Sequence, residues 1–242
     1  MSELISIIIP GYNEGKRVLA VIEGLSAFCQ KHFPQHEIIF VDDGSTDQTW
    51  EMVNSLRDCP FFHAIRNVKN KGKGYAVRKG MLAAKGKYRF FTDADIPYGT
   101  ECFLKALKTL KNLGCDVVIG SRDLPESWDQ ARVRWIRKIA SSLFSIIVNI
   151  FLHINIKDSQ CGFKGFTAKS AQQIFSHLTI HGFAFDVEIF ILAKQLGLSI
   201  EKLPVTLIMN QHTKVRLTHD PFRMLIDILK LSLRQWNDGV FR

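Results

Sequence analysis

Two aspartates separated by one residue, Asp93 and Asp95, directly follow the apolar stretch Tyr-Arg-Phe-Phe-Thr. Carboxylates at this spacing can bind a divalent cation directly or through water, and Mg²⁺ favours carboxylate and phosphate oxygens. A cation held there could bridge a diphosphate and neutralise the charge of a departing nucleotide. The alternative interpretation is an acidic turn in solvent, because D-x-D is a common triplet.

A second acidic pair, Asp42 and Asp43, ends another apolar run and precedes Gly44. Asp42 could accept a hydrogen bond from a nucleobase N–H or a ribose hydroxyl. Gly44 permits a tight turn, and the Ser-Thr-Asp cluster at 45–47 is typical of a helix N-terminus. Capping alone explains 45–47, but it does not explain two adjacent carboxylates that repel each other.

Basic side chains are available to bind phosphate. The turn Asn-Lys-Gly-Lys-Gly at 70–74 precedes a predicted helix, and such a turn can contact phosphate, although it lacks Walker A spacing. An ordinary solvated basic turn is the alternative. Arg122, Arg134, Arg137 and Lys214 are candidate ligands of an acceptor phosphate, since a guanidinium offers a bidentate fork.

No Ser, His or Cys constellation indicates a nucleophilic triad, and the eight His have no metal-ligand spacing. If the reaction needs a general base, the carboxylate candidates are Asp158, Asp186 and Glu188. Asp186 and Glu188 could equally orient an acceptor or cap the helix predicted to begin near Phe183.

Apolar runs alternate with helical segments through the first half of the chain. The predicted strands are 5–10, 37–42, 61–65, 88–92 and 117–120, and the predicted helices are 14–31, 46–57, 74–84 and 100–113. This alternation predicts an α/β fold with a Rossmann-like, mainly parallel sheet flanked by helices. Ligands bind at the carboxyl ends of such strands, so the clusters at 12–14, 42–44 and 93–95 are expected at one edge.

The second half predicts two amphipathic helices, 134–152 and 222–236, with strands at 165–167 and 200–204. Amphipathic helices rich in Lys and Arg suit a membrane interface. Packing of both helices on the protein core is the alternative interpretation.

The composition, 46% hydrophobic and 23% charged over 242 residues, is that of a globular chain and excludes a disordered one. The net charge of +9 favours anionic partners, but no nucleic-acid-reading motif is present, so no nucleic-acid partner is expected. Five Cys without a C-x-x-C argue against a disulfide framework and indicate a cytoplasmic setting. Neither a secretory signal nor a transmembrane segment is predicted.

Five segments occur in an order and spacing that resemble the family 2 glycosyltransferases of the GT-A fold. They are Ile9-Pro-Gly-Tyr-Asn-Glu14, Val41-Asp-Asp-Gly-Ser-Thr-Asp47, Lys71-Gly-Lys-Gly74, Asp93-Ala-Asp95 and Gly120-Ser-Arg122. The second half is similar to the polyprenyl-phosphate (dolichyl-phosphate) glycosyltransferases. Its matching segments are Asp158-Ser-Gln-Cys-Gly-Phe-Lys164, Phe183-Ala-Phe-Asp-Val-Glu188 and Lys214-Val-Arg216, and the Gln-Cys-Gly-Phe-Lys form resembles the glucosyltransferase branch.

The resemblance implies a role for each matching residue. Nucleotide-sugar contacts are implied for Pro10, Tyr12, Glu14, Asp42, Asp43, Lys73, Asp93 and Ala94. Asp93 and Asp95 would hold Mg²⁺ or Mn²⁺, and the catalytic residues would be Asp95, Arg122 and Arg137. The acceptor phosphate would meet Arg122, Arg137, Ser141 and Lys214.

The implied activity is an inverting transfer of a hexose, glucose or mannose, from a nucleotide sugar to dolichyl or undecaprenyl phosphate. UDP-glucose is the favoured donor and GDP-mannose the second. The alternative is a family 2 enzyme acting on a glycan or cell-envelope polysaccharide. We expect a single domain over 1–242, with a nucleotide-sugar half (1–125) and an acceptor half (126–242) that attaches peripherally to the cytoplasmic membrane face.

Overall fold

A computed structural model of the protein describes residues 3–15, 17–122, 124, 161–208 and 226–231. The strands are β1 (Ile5–Gly11), β2 (His36–Asp42), β3 (Phe62–Arg66), β4 (Tyr88–Phe91), β5 (Val117–Ser121), β6 (Lys164–Thr167) and β7 (Ile200–Pro204). The helices are α1 (Val18–His32), α2 (Thr49–Asn54), α3 (Lys73–Ala83), α4 (Glu101–Leu113), α5 (Ala168–His177), α6 (Phe185–Gln195) and α7 (226–231).

The strands form one seven-stranded sheet in the order β3-β2-β1-β4-β6-β5-β7. Strand β1 pairs in parallel with β2 and β4, and β5 pairs in parallel with β7. Strand β6 alone runs antiparallel to its neighbours in this sheet, with Lys164 opposite both Phe91 and Ile119. The amino end of β6 therefore meets the carboxyl ends of β4 and β5, and the predicted mainly parallel α/β sheet is confirmed.

The inner part of the sheet is covered by apolar side chains on both faces, which explains why β1, β2, β4 and β5 are mainly apolar runs in the sequence. Neighbouring residues of a strand point to opposite faces. Ile8 and Phe91 accordingly pack with α3, α5 and α6, whereas Ile7 and Phe90 pack with α1 and α4. This double burial fixes the strands rigidly and leaves their ends to carry the polar loops.

The boundaries of two helices differ from the prediction. Helix α1 begins at Val18 and not at residue 14, and α2 begins at Thr49 and not at residue 46. In both cases the polar residues before the helix form hydrogen bonds between the loop after β1 and the loop after β2.

In the second half, the predicted strands at 165–167 and 200–204 are confirmed, while α5 was not predicted. The predicted helix 134–152 and most of 222–236 lie outside the described residues. Within the described ranges, no helix is both long enough and apolar enough to cross a bilayer.

Candidate active site

Hydrogen bonds join the loop that follows β1 to the loop that follows β2. Asn13 adopts a left-handed backbone (φ 54°), and its N–H donates to Ser45 Oγ at 2.9 Å. Its side-chain oxygen accepts from the Thr46 N–H, also at 2.9 Å, and the Glu14 N–H donates to Thr49 Oγ1 at 2.7 Å. The positions of Tyr12 and Glu14 beside the end of β2 are thereby fixed.

Asp47 completes this junction. It accepts from the N–H of Gly15 at 3.2 Å and from the N–H of Thr49 at 3.0 Å. The cluster at 45–47 was interpreted as a helix cap, and the Asp47–Thr49 contacts fit that role. Its contacts with Asn13 and Gly15 bind the loop after β1, so the cluster also joins two loops.

Asp42 is fully buried at the end of β2. One carboxylate oxygen accepts from the Ser45 N–H at 3.0 Å. The other lies 3.2 Å from Arg66 Nε, but without hydrogen-bond geometry, and it has no hydrogen bond in the described structure. At this distance Asp42 and Arg66 form a close ion pair. The same Asp42 oxygen still has the capacity to accept a hydrogen bond.

Asp43 is also buried, but its carboxylate is engaged by three donors. They are Asn67 Nδ2 at 2.8 Å, the Gly72 N–H at 2.7 Å and the Lys71 N–H at 3.0 Å. Gly44 beside it has φ 72°, and a Cβ there would lie 2.5 Å from a Lys69 backbone atom. Asp43 therefore anchors the turn that begins α3, which is a positioning role.

The other end of that turn is held by a carbonyl. The N–H groups of Gly74 and Tyr75 donate to the His181 oxygen at 2.8 and 3.3 Å. The preceding residues are fixed by buried Glu188, which accepts from the Ile180 N–H at 2.7 Å and the Thr179 N–H at 3.0 Å. These N–H groups are therefore engaged within the protein, so any phosphate contact from this turn would have to come from a side chain, of which Lys73 is the predicted one.

Lys73, the first residue of α3, forms an ion pair with Asp93, which follows β4. Both side chains are partly exposed, Lys73 by 19% and Asp93 by 26%. The turn that carries Asp93 and Asp95 ends in an unusual conformation, since β-branched Ile96 has φ 43°. Such strain persists only where the surrounding structure enforces it, and it often accompanies a functional site.

Asp95 lies in an unfavourable environment for a carboxylate. Burial raises its pKa, and the charge of Asp93 raises it further, while Arg17 opposes both. Arg17 in turn binds Glu14, with its Nε 2.7 Å from the Glu14 carboxylate. A divalent cation between Asp93 and Asp95 would remove their repulsion.

The donor set also fits such a cation. No group of three or more His, Cys, Asp or Glu in the described part of the chain could hold a metal ion. Two carboxylates would therefore leave most of the coordination sphere to water and diphosphate oxygens. That is the usual arrangement for Mg²⁺ in phosphate-handling sites.

The segment that enters β6 reaches the same place. A Cβ at Gly162 would overlap the Asp93 carboxylate, so only glycine permits this approach. Lys164 is fully buried, donates to the Cys161 oxygen at 2.9 Å and lies 2.5 Å from Asp186 of α6. The second half of the chain therefore supplies part of the site around Asp93.

These contacts form a series of alternating charges, Asp93, Lys73, Asp186 and Lys164. Burial opposes the charge on Lys73, but the carboxylates of Asp93 and Asp186 outweigh it and raise the Lys73 pKa. Burial raises the pKa of Asp186, against the opposing charges of Lys164 and Lys73. Each member is thus held in place by its neighbours.

Comparison with known proteins identifies the family that uses this arrangement. Residues 6–175 match the family described as Glycosyl transferase family 2. The chain belongs to this family. It is 34% identical to the dolichyl-phosphate beta-glucosyltransferase of Saccharomyces cerevisiae over 95% of this chain and 74% of that protein. It is 33% identical to the Dictyostelium discoideum protein of the same name over 95% and 74%.

Solved structures share the fold. A mannosyl-3-phosphoglycerate synthase from Rubrobacter xylanophilus superposes with a TM-score of 0.73 at 18% identity, over 98% of this chain and 75% of that one. A Mycobacterium tuberculosis glucosyl-3-phosphoglycerate synthase crystallised with Mn²⁺, UDP and its product gives 0.67 at 18% identity, over 94% and 77%. The predicted GT-A fold is confirmed, and the chain is a glycosyltransferase.

The predicted site residues of this glycosyltransferase are brought together where they are described. Pro10 and Ala94 are buried at the ends of β1 and β4, and Arg122 is exposed directly after β5 at the same edge. The remaining acceptor-phosphate candidates, Arg134, Arg137, Ser141 and Lys214, lie outside the described residues.

No role was predicted for Gly162, Lys164 or Arg17. A signal existed for Lys164, because a lysine within the run Gly-Phe-Lys-Gly-Phe must find a partner when it is buried. The identity of that partner could not be read from the sequence.

Proposed function

We propose that this glycosyltransferase moves glucose from UDP-glucose to a polyprenyl phosphate of the dolichyl type, inverting the anomeric configuration in a single displacement. The names of the Saccharomyces and Dictyostelium relatives support glucose and the lipid phosphate. The Mycobacterium tuberculosis synthase of the same fold has also been crystallised with Mn²⁺ and UDP-glucose, which supports the donor.

One observation carries the choice of a phosphate acceptor. Two of the three candidate bases are committed to the protein itself: Asp186 to buried Lys164, and Glu188 to the backbone of 179–180. The third, Asp158, lies outside the described residues. A sugar hydroxyl would need such a base, whereas a phosphate oxygen is already nucleophilic. The geometry therefore favours phosphate over the glycan alternative.

We assign Mg²⁺ or Mn²⁺ to Asp93 and Asp95, where the cation would supply charge neutralisation for the departing nucleoside diphosphate. In the acceptor half (126–242), Arg137, Ser141 and Lys214 would join Arg122 of the first half in binding the lipid phosphate. Positioning and charge stabilisation then supply the rate, without proton transfer to a protein base.

In the nucleotide-sugar half (1–125), Pro10, Tyr12, Glu14 and Asp42 would line the nucleotide, with Ala94 approaching the diphosphate through its backbone. The hydrogen bonds between the loops after β1 and β2 support this assignment, since they hold these residues at one edge of the sheet. Asp43 would act through the turn that it anchors.

We further propose that the protein meets its acceptor as a peripheral protein on the cytoplasmic membrane face. The net charge of +9 supports attraction to anionic lipid. Co-sedimentation with vesicles containing phosphatidylserine should fall steeply with added salt. Equal binding to neutral vesicles would contradict an electrostatic attachment.

The activity is tested by incubating the full chain with labelled UDP-glucose, Mn²⁺ and dolichyl phosphate and extracting lipid. We expect labelled glycolipid from wild type and none from Asp95→Asn. GDP-mannose and a glycan acceptor are run in parallel arms. Product only on the glycan would overturn the lipid-phosphate acceptor, and product only from GDP-mannose would overturn the donor.

A further inference from the structure

The Lys73 ammonium already stands beside a carboxylate that the proposed cation would use. It pairs with Asp93, and it also interacts with Asp186, whose other partner is buried Lys164. A metal ion bound by Asp93 would lie close to this ammonium, and like charges at such distances repel. Lys73 and the metal therefore compete for the same carboxylate.

Among the described residues, the ionisable side chains linked to Asp93 and Asp95 nearly balance one another. The carboxylates are Glu14, Asp93, Asp95 and Asp186, and the cationic groups are Arg17, Lys73 and Lys164. The net charge of these groups is about −1 when all are ionised. A bare divalent cation would overcompensate this charge, whereas a cation that arrives with a diphosphate would not.

The Lys73 side chain can change partner without moving the backbone. The turn around it is fixed at both ends, by Asp43 through the Gly72 N–H and by His181 through the Gly74 N–H. A lysine carries its charge on a flexible four-carbon stem with three rotatable donors. The ion pair with Asp93 places the Lys73 ammonium at the sheet edge where a diphosphate would lie.

We infer that Lys73 is a built-in counter-ion that occupies Asp93 in the absence of donor and transfers to the donor diphosphate when the metal binds. Metal alone then binds weakly, because it must displace the ammonium. Metal and nucleotide bind cooperatively, because the diphosphate receives the ammonium that the metal releases. This inference rests on the proposed function, since it concerns the same donor site.

The test measures binding and needs no turnover. Free Mn²⁺ is followed by electron paramagnetic resonance during titration of the full chain, with and without saturating UDP. We compare wild type with Lys73→Met, and use Lys71→Met as the matched control, because Lys71 carries the same charge in the same turn but contacts Tyr75.

Lys73→Met should bind Mn²⁺ alone about tenfold more tightly than wild type, allowing for solvent screening of a partly exposed charge. The ratio of Mn²⁺ dissociation constants without and with UDP should fall by about tenfold. Lys71→Met should match wild type. Should Lys73→Met fail to fold by circular dichroism, Lys73→Gln is the second neutral variant and carries the same expectation.

Unchanged or weaker Mn²⁺ binding by the folded neutral variant would overturn the inference, as would an equal gain in Lys71→Met. Wild type that binds no Mn²⁺ even with UDP would overturn both the inference and the proposed donor. If Mn²⁺ binding shifts as expected but the protein makes no glucolipid, only the proposed acceptor is overturned.

Discussion

Two pairs of acidic residues lie at the same edge of the sheet, yet the protein treats them differently. Asp42 and Asp43 are buried, and Asp43 is satisfied by one side-chain amide and two backbone N–H groups. Asp93 and Asp95 are partly exposed, repel each other and are balanced by the side-chain cations Lys73 and Arg17. Neutral N–H donors fix Asp43 in the architecture, whereas the Lys73 ammonium beside Asp93 could exchange that carboxylate for a metal.

The largest expected effect tests the exchangeable pair. Asp95→Asn should reduce turnover by about a thousandfold, because the departing diphosphate loses its bound charge; this corresponds to about 4 kcal/mol. The variant should remain folded, since the substitution removes a repulsion. Steady-state kinetics and thermal unfolding measure the two quantities. Activity within a factor of ten of wild type would remove Asp95 from the cation site.

The second largest effect is expected at the buried ion pair between Lys164 and Asp186, beside β6. Lys164→Met should lower the free energy of unfolding by about 3 kcal/mol, because it leaves buried Asp186 without its partner. The double variant Lys164→Met with Asp186→Leu should recover most of this loss. Urea unfolding measures both variants. A single variant as stable as wild type would show that the pair contributes nothing to this region.

A smaller loss is expected at the architectural pair. Asp43→Asn should lower the free energy of unfolding by about 2 kcal/mol, since an amide N–H₂ would face the N–H groups of Lys71 and Gly72. Asp58→Asn, at an exposed acid, is the matched control and should change little. Chemical denaturation gives the difference. If Asp43→Asn is as stable as wild type but binds UDP more weakly, Asp43 is a nucleotide ligand. It would then not be the architectural carboxylate that the comparison with Asp93 requires.

The smallest effect is a pH dependence of stability. Because burial and then Asp93 raise the pKa of Asp95 in the folded protein, its ionisation disfavours folding. The penalty is absent below its ordinary pKa of 3.8 and develops as the pH rises through the raised value. Asp95→Asn should therefore gain stability over wild type at pH 7 but not at about pH 3.5. A constant difference across this range would contradict the raised pKa.

Most of the sheet could be predicted because its signal is local. The inner strands, which are buried on both faces, appear as mainly apolar runs, and all seven strands were found within one or two residues. The starts of α1 and α2 were wrong because Glu14, Ser45 and Asp47 resemble helix-capping residues. The side chains of Ser45 and Asp47 instead contact the loop after β1, 32 positions away, and the Glu14 side chain binds Arg17.

The sequence by itself determined the order of the polar clusters along the chain, the acidic pairs and the family motifs, since these depend on residue type and spacing. Only the tertiary structure decided which carboxylate is architectural and which is exchangeable. Asp43 and Asp93 have the same side chain, and their difference lies in the partners brought to them. Strand β6 enters antiparallel and brings Gly162 and Lys164 to the site, while α3 brings Lys73. Electrostatic energies depend on such distances and burial, which no local pattern contains.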